Sequence, residues 1–129
     1  MDAETVEQIA LTSDLKAAKQ AVRSLQKQRD TRSLLEVAED VPIAAVKAEA
    51  IKAVGEIGGK REAKSFIDRL DRLNTVAVPG GSDQLAEVEM LKQALIVAIA
   101  KLTKSPAPGD LSVAAVKTFI ADSKRKVLA

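Results

Sequence analysis

Cysteine, histidine, tryptophan and tyrosine are all absent from the sequence. Without a thiol or an imidazole, the chain has no thiolate nucleophile, no Ser-His-Asp triad, and neither a disulfide framework nor a zinc site of the usual kind. Carboxylates, amines and hydroxyls are the only groups left for catalysis. We therefore expect no enzymatic activity, no cofactor and no bound metal.

Aromatic residues are scarce, since they make up 2% of the sequence and consist of Phe66 and Phe119. Alanine, valine, isoleucine and leucine supply almost all of the 47% hydrophobic content. This composition favours packed helices over a β-sandwich or a barrel. The sequence therefore predicts an all-α fold.

Long apolar runs are also missing. The longest extends from Ala94 to Ala100, far short of the ~20 residues that cross a bilayer. The first residues, Met1 to Glu4, are acidic and are not followed by the apolar segment of a signal peptide. These features predict a soluble, cytoplasmic protein that does not bind a membrane.

Apolar residues recur at helical spacing along the whole chain, whose 129 residues and formal net charge of +2 suit a single domain over 1–129. Asp30 is a predicted N-cap, Pro42 stops a helix, and Gly58 with Gly59 allows a left-handed C-cap. We expect a loop insertion at 75–82 and a linker at 104–109 before a C-terminal capping helix. Seven helices are predicted, at about 2–11, 14–28, 31–40, 43–57, 62–74 and 84–102, with the last from Asp110 or Ser112 to about 126.

The apolar positions also predict which side of each helix is buried. Between Ala94 and Leu102 the sixth helix is apolar on nearly all sides, which predicts a central helix covered by several neighbours. In the other helices the expected core positions are Leu15, Ala18, Val22, Leu25, Leu34, Leu35, Ala38, Val46, Ala50, Val54, Ile57, Phe66, Ile67, Leu70, Val113, Val116, Phe119 and Ile120.

An internal repeat relates parts of the chain to one another. A shift of 32 residues pairs Ala18 with Ala50, Val22 with Val54, Leu25 with Ile57, Arg29 with Arg61, Asp30 with Glu62, Leu34 with Phe66 and Leu35 with Ile67. A shift of 45 residues continues the repeat less cleanly, because the loop before Ser82 is inserted. Such a period is typical of stacked helix pairs, each of which buries its apolar face only against the next pair.

A further pattern begins at Asp40-Val41-Pro42 and continues through Val46, Lys47, the segment from Ala53 to Gly59, Ala63, Phe66, Ile67 and Leu70. This order resembles the HEAT-like helical repeat family, best over residues 30–73. The resemblance implies a right-handed α-solenoid of about three helix pairs and roughly seven helices. In such families an acidic residue that ends one helix contacts a basic residue that opens the next, which implies a contact between Asp40 and Lys47.

Such stacks commonly bind other proteins, and we interpret the chain as a non-enzymatic interaction module or scaffold that uses its inner helices. The repeat places Ile51 and Ile96 where the first repeat carries the polar Lys19, so both could belong to an exposed apolar strip. Burial of both under adjacent helices is the alternative. The candidate partner-binding residues are Glu49, Ile51, Lys52, Glu56 and Ile96.

A second hypothesis concerns nucleic acid. Lys16, Lys19, Arg23 and Lys27 share one stripe at helical spacing, which suits a phosphate backbone, although the solvated face of an end repeat has the same pattern. A third hypothesis, an accessory role in attaching bilin chromophores, follows only from the resemblance. The sequence leaves the protein partner unidentified and leaves monomer and homo-oligomer both open.

Overall fold

A computed structural model of the chain describes residues 15–75 and 82–128. Within these ranges the chain forms helices and loops and no strand, which confirms the all-α prediction there. The predicted helix at 2–11 and most of the loop insertion lie outside the described residues. The helices are α1 (Leu15–Lys27), α2 (Thr31–Asp40), α3 (Ala44–Ile57), α4 (Lys60–Thr75), α5 (Ser82–Thr103) and α6 (Val113–Leu128).

The predicted N-cap of α2 is confirmed. Asp30 accepts a hydrogen bond of 3.1 Å from the backbone N–H of Ser33 and another of 2.8 Å from its hydroxyl. Although burial works in the opposite direction, these hydrogen bonds hold the pKa of Asp30 below its usual value. The capping carboxylate therefore fixes the start of α2. Only residues 28–30 separate α2 from the end of α1.

The end of α3 differs from the prediction of a left-handed cap. Gly58 has φ −80° and ψ −173°, an extended conformation open to any residue. Positive φ angles occur instead at Arg29 (56°) and Lys104 (55°), just after α1 and α5. The chain therefore passes from α3 to α4, which begins at Lys60, through an extended residue at Gly58 and not through a left-handed one.

The helices form two layers. One layer consists of α1, α3 and α5, with α3 between the other two. The other layer contains α2, α4 and α6, in which α4 packs against α6. Between the layers, α2 packs on α3 and α4 packs on α5. The C-terminal ends of α1 and α3 line one cleft, and Glu56 near the end of α3 pairs with Lys101 near the end of α5. The N-terminal ends of α2 and α4 line a second cleft. Both sets of helix ends therefore lie along the same edge of the molecule.

α6 runs in the opposite direction to α2 and α4. The side-chain amide of Asn74, at the end of α4, donates a hydrogen bond of 3.3 Å to the carbonyl of Val113 at the start of α6. At its other end, the ammonium of Lys126 donates a hydrogen bond of 2.9 Å to the carbonyl of Lys104, just after α5. The linker from 104 to 112 can reach roughly 30 Å, which exceeds the ~24 Å length of this 16-residue helix and so permits the reversal.

The core lies between the two layers and is lined by every described helix. α5 is central as predicted, because Ala94, Leu95, Ile96, Ala98 and Ile99 are all buried. Two core predictions at helix starts are wrong: Leu15 is 40% exposed and Val113 is 49% exposed. The largest fully buried side chains are Phe66, Leu25, Leu34, Ile51, Ile67, Leu70, Leu95, Ile99, Val22, Val37, Val41 and Val46.

Candidate interaction surface

The basic stripe of the nucleic-acid hypothesis lies on a side of α1 that no other described helix covers. Lys16, Arg23 and Lys27 are exposed and Lys19 is half-buried. Lys16, Lys19 and Arg23 line one shallow groove of about 460 Å³, whereas Lys27 lies in a different cleft at the end of the helix. The structure thus brings three of the four cations together.

The exposed apolar strip expected at Ile51 and Ile96 is wrong. Ile51 is 2% exposed and Ile96 is 3% exposed, so both belong to the core. Ile51 is buried because α3 has α1 on one side and α5 on the other, whereas Ile96 is buried because α5 packs against α3, α4 and α6. The corresponding Lys19 belongs to α1, at the end of the layer as far as the structure describes it. An internal repeat therefore buries a position that an end repeat exposes.

The other three candidate partner-binding residues are on α3 and reach the surface to different extents. Lys52 and Glu56 are exposed, and Glu49 is half-buried. Glu56 forms an ion pair with Lys101 of α5. These side chains make the accessible surface of α3 charged, with no apolar strip at Ile51. In the same layer, Leu85 and Met90 of α5 are exposed.

The contact implied between Asp40 and Lys47 is replaced by a different one. The Lys47 ammonium donates a hydrogen bond of 3.3 Å to the backbone carbonyl of Glu39. The Glu39 carboxylate pairs with Arg69 of α4, whose guanidinium also reaches the carbonyl of Ala38 at 3.5 Å. The last carbonyls of a helix have no intrahelical partner, so both cations bind the end of α2 and Lys47 does not need the Asp40 carboxylate.

Two clefts open on the edge where the helix ends meet. The first, of about 590 Å³, lies between the starts of α2 and α4 and is lined by Thr31, Arg32, Leu35, Arg61, Glu62 and Ser65. The second, of about 460 Å³, lies between the ends of α1 and α3 and is lined by Arg23, Gln26, Lys27, Arg29, Glu56 and Ile57. Each cleft therefore combines a half-buried aliphatic side chain with arginines.

Sequence reasoning did not select most of these cleft residues. A signal was present, because the 32-residue shift pairs Arg29 with Arg61 and Asp30 with Glu62. Equal residues at equal repeat positions lie on the same edge of a stack. These pairs help to define the repeat. Whether they also lie together on the surface depends on the direction of each helix.

Neither a membrane-crossing helix nor a metal site is found in the described residues. No helix there combines the length and apolar character that a bilayer crossing requires. No group of three or more carboxylates in 15–75 and 82–128 is arranged to hold a metal ion.

Comparison with protein-family models, curated proteins and solved structures gives no significant match. The HEAT-like resemblance and the functions that it implies therefore stay predictions.

Proposed function

We propose that the chain is a non-enzymatic protein-interaction module. The observation that supports this is the open surface of the α1/α3/α5 layer, where the ends of three helices meet beside shallow clefts. Exposed charged side chains on a rigid helical layer set partner specificity and association rate. Arg23, Lys52 and Glu56 are the exposed residues of this layer that we assign to partner contact.

The same proposal includes the finer architecture, a right-handed solenoid of HEAT-like pairs. Its support is that repeat-related residues share the same burial: Ala18 with Ala50, Val22 with Val54, and Leu34 with Phe66. An experimental structure tests the handedness. A left-handed winding of α2 to α5 would contradict the HEAT-like assignment without affecting the interaction role.

Affinity capture from a lysate of the source cells, with and without nuclease, tests the interaction role. We expect a stoichiometric protein that survives nuclease and that is lost from the double variant Arg23→Glu, Lys52→Glu. The variant Arg72→Glu, Lys117→Glu makes the same change in charge at exposed positions of α4 and α6 and should retain the partner. Absence of any protein above background contradicts the proposal.

Nucleic acid is the second candidate, because Lys16, Lys19 and Arg23 line one groove. It predicts binding that falls steeply with salt, since phosphate contacts release counterions. Charge reversal at Lys16, Arg23 and Lys27 should then abolish binding of a labelled DNA duplex. Capture of the partner only in the absence of nuclease would favour this candidate over the first.

A further inference from the structure

One edge of the molecule carries an unusual concentration of cations, which we call the basic edge. It is the edge where α1, α3, α5 and α6 end and where α2 and α4 begin. Residues from distant parts of the sequence meet there because neighbouring helices alternate in direction. The basic edge consists of Lys27, Arg29, Arg32, Lys60, Arg61, Lys101, Lys104 and Lys126.

Helix dipoles do not account for this distribution. Lysine near the C-terminal ends of α1 and α5 is favourable there, because that end of a helix carries partial negative charge. Arg32, Lys60 and Arg61 are in the first turns of α2 and α4, where the dipole disfavours a cation. The positive charge therefore follows the edge of the molecule and not the direction of each helix.

Backbone conformation supports the same conclusion. Arg29 and Lys104 have φ angles of 56° and 55°, in the left-handed region. After α1, the N–H of Asp30 bonds to the carbonyl of Leu25, a C-terminal motif in which glycine is the preferred residue. At both positions the chain has a long cation where glycine would be less strained.

Carboxylates on the basic edge are engaged within the protein. Asp30 caps α2, Glu56 pairs with Lys101, and Glu62 accepts a 3.1 Å hydrogen bond from the N–H of Gly59. They stabilise the helix ends and leave the arginines of the two clefts facing outward. Arg29 and Arg61 are exposed, and Arg32, which is 92% exposed, forms an ion pair of 3.8 Å with Glu36 one turn further along α2.

The side chains that line the clefts suit an acidic peptide better than a nucleic-acid strand. Leu35 lies in one cleft beside Arg32 and Arg61, and Ile57 lies in the other beside Arg29. A nucleic-acid strand offers these sites only sugar carbons and thymine methyl groups, which are small beside a leucine or isoleucine side chain, and the described edge has no aromatic side chain on which a base could stack. A peptide with carboxylates next to aliphatic residues matches both the rim and the floor of each cleft.

We propose that the basic edge binds an acidic protein segment whose aliphatic side chains enter the clefts at Leu35 and Ile57. This inference rests on the proposed interaction role and gives the chemistry of the partner. The arginines pair with carboxylates of the segment. The aliphatic side chains of the segment bury the exposed surface of Leu35 and Ile57. Leu35 and Ile57 are both half-buried.

Selection from a random library of displayed peptides, about a dozen residues long, tests the partner chemistry. We expect enriched peptides to be more acidic than the input library and to contain leucine or isoleucine beside the acids. Fluorescein-labelled copies then give a Kd by anisotropy. The variant Arg29→Glu, Arg61→Glu should weaken binding by about tenfold or more, whereas Arg72→Glu, Lys117→Glu should leave the Kd within about twofold.

Loss of binding must be separated from loss of folding. Arg29→Gly provides this control, because it removes a cation and relieves the left-handed conformation. We expect this variant to unfold at a higher temperature than the wild type and yet to bind the labelled peptides more weakly. A variant that is more stable and binds equally well contradicts the proposal.

Other outcomes overturn the inference in distinguishable ways. Enriched peptides that are not acidic, or that bind the Arg29→Glu, Arg61→Glu variant unchanged, overturn the basic-edge assignment but leave the interaction role intact. A labelled DNA duplex that binds more tightly than every peptide, and only when both arginines are present, reassigns the edge to nucleic acid. If no peptide is enriched and affinity capture finds no protein, both the inference and the interaction role fail.

Discussion

A Cβ atom added to Gly55 of α3 would lie 2.8 Å from the Cα and 2.9 Å from the Cβ of Ala98 in α5. Real Cβ atoms do not approach other atoms this closely, so the two helices meet at a spacing that only glycine at position 55 permits. The neighbouring atoms are backbone and the first atom of a side chain, and they cannot rotate away. The central contact of the molecule therefore depends on this pair.

Gly55→Ala should destabilise the protein. Overpacking in a close-packed interior costs about 1–3 kcal/mol, which exceeds the gain of about 1 kcal/mol when alanine replaces glycine within a helix. Thermal unfolding followed by far-UV circular dichroism measures the difference. Gly109→Ala is the matched control, because nothing lies within 4 Å of its added Cβ and its φ is not positive. Equal effects of the two variants would contradict the packing described for α3 and α5.

Val54→Asp should prevent stable folding. Val54 is 0% exposed, and an unpaired charge left in such a site costs about 3–5 kcal/mol, a large part of the 5–15 kcal/mol that stabilises a typical domain. Far-UV circular dichroism at 25 °C should show loss of most helix. Val113→Asp is the control, since that side chain is exposed in the first turn of α6, where an acid is favourable. Normal stability of Val54→Asp would mean that the repeat is packed in a different register.

Asp30→Ala should lower stability by about 0.5–2 kcal/mol at pH 7, because it removes an N-cap. Although burial opposes it, hydrogen bonding to Ser33 holds the pKa of Asp30 below its ordinary value in the folded chain. Its charge therefore contributes stability above the unfolded pKa, and this contribution is lost as the pH falls through the lower folded pKa. Denaturant unfolding at several pH values should show the difference from wild type shrink below about pH 4.

Asp40→Ala is the control for this cap. Asp40 is exposed at the end of α2, where the dipole disfavours an acid. Its removal should be neutral or slightly stabilising. A loss of stability as large as that of Asp30→Ala would show that the effect comes from removing any carboxylate of α2 and not from the cap.

Arg29→Gly should raise stability by about 1 kcal/mol, because a non-glycine residue in the left-handed region is disfavoured by roughly that amount or more. Chemical denaturation gives the change in unfolding free energy. Arg23→Gly, in the middle of α1, should instead lower stability by about 1 kcal/mol. If both substitutions destabilise equally, the left-handed conformation at Arg29 is absent in solution.

The reversed direction of α6 can be tested with spin labels, since the chain has no native cysteine. One label at Arg61, at the start of α4, is combined with a second at Lys126 or at Ala114. Because the end of α6 lies near Lys104, pulsed electron resonance should give a shorter distance for the Arg61/Lys126 pair than for Arg61/Ala114. The opposite order would mean that α6 continues the alternation of α2 and α4.

Much of the local structure was predictable from the sequence because local physical chemistry controls it. The N-cap at Asp30, the stop at Pro42 and the helical spacing of apolar residues place the helix ends to within about three residues, within the usual uncertainty of such assignments. The same spacing identified Val22, Val54 and Phe66 as buried. The end of α3 was predicted, but its left-handed cap at Gly58 was not found.

Errors arose where the environment of a position depends on its neighbours in space. The repeat related Ile51 to the polar Lys19, but α3 has packed helices of its layer on both sides, whereas α1 has one on a single side within the described residues. Likewise, Lys47 was expected to contact Asp40, whereas it binds the carbonyl of Glu39. Val113 has the spacing of a core residue but lies at the exposed start of α6.

By itself, the sequence determined the all-helical class, the helix bounds and most of the buried face, because composition, capping and periodicity act within a few residues along the chain. The tertiary structure alone decided that α6 is reversed and that Lys104 and Lys126 lie on the same edge as Arg29 and Arg61. These relationships join residues far apart in sequence. They depend on helix direction and on a linker long enough to reverse it, and no local pattern of residues encodes them.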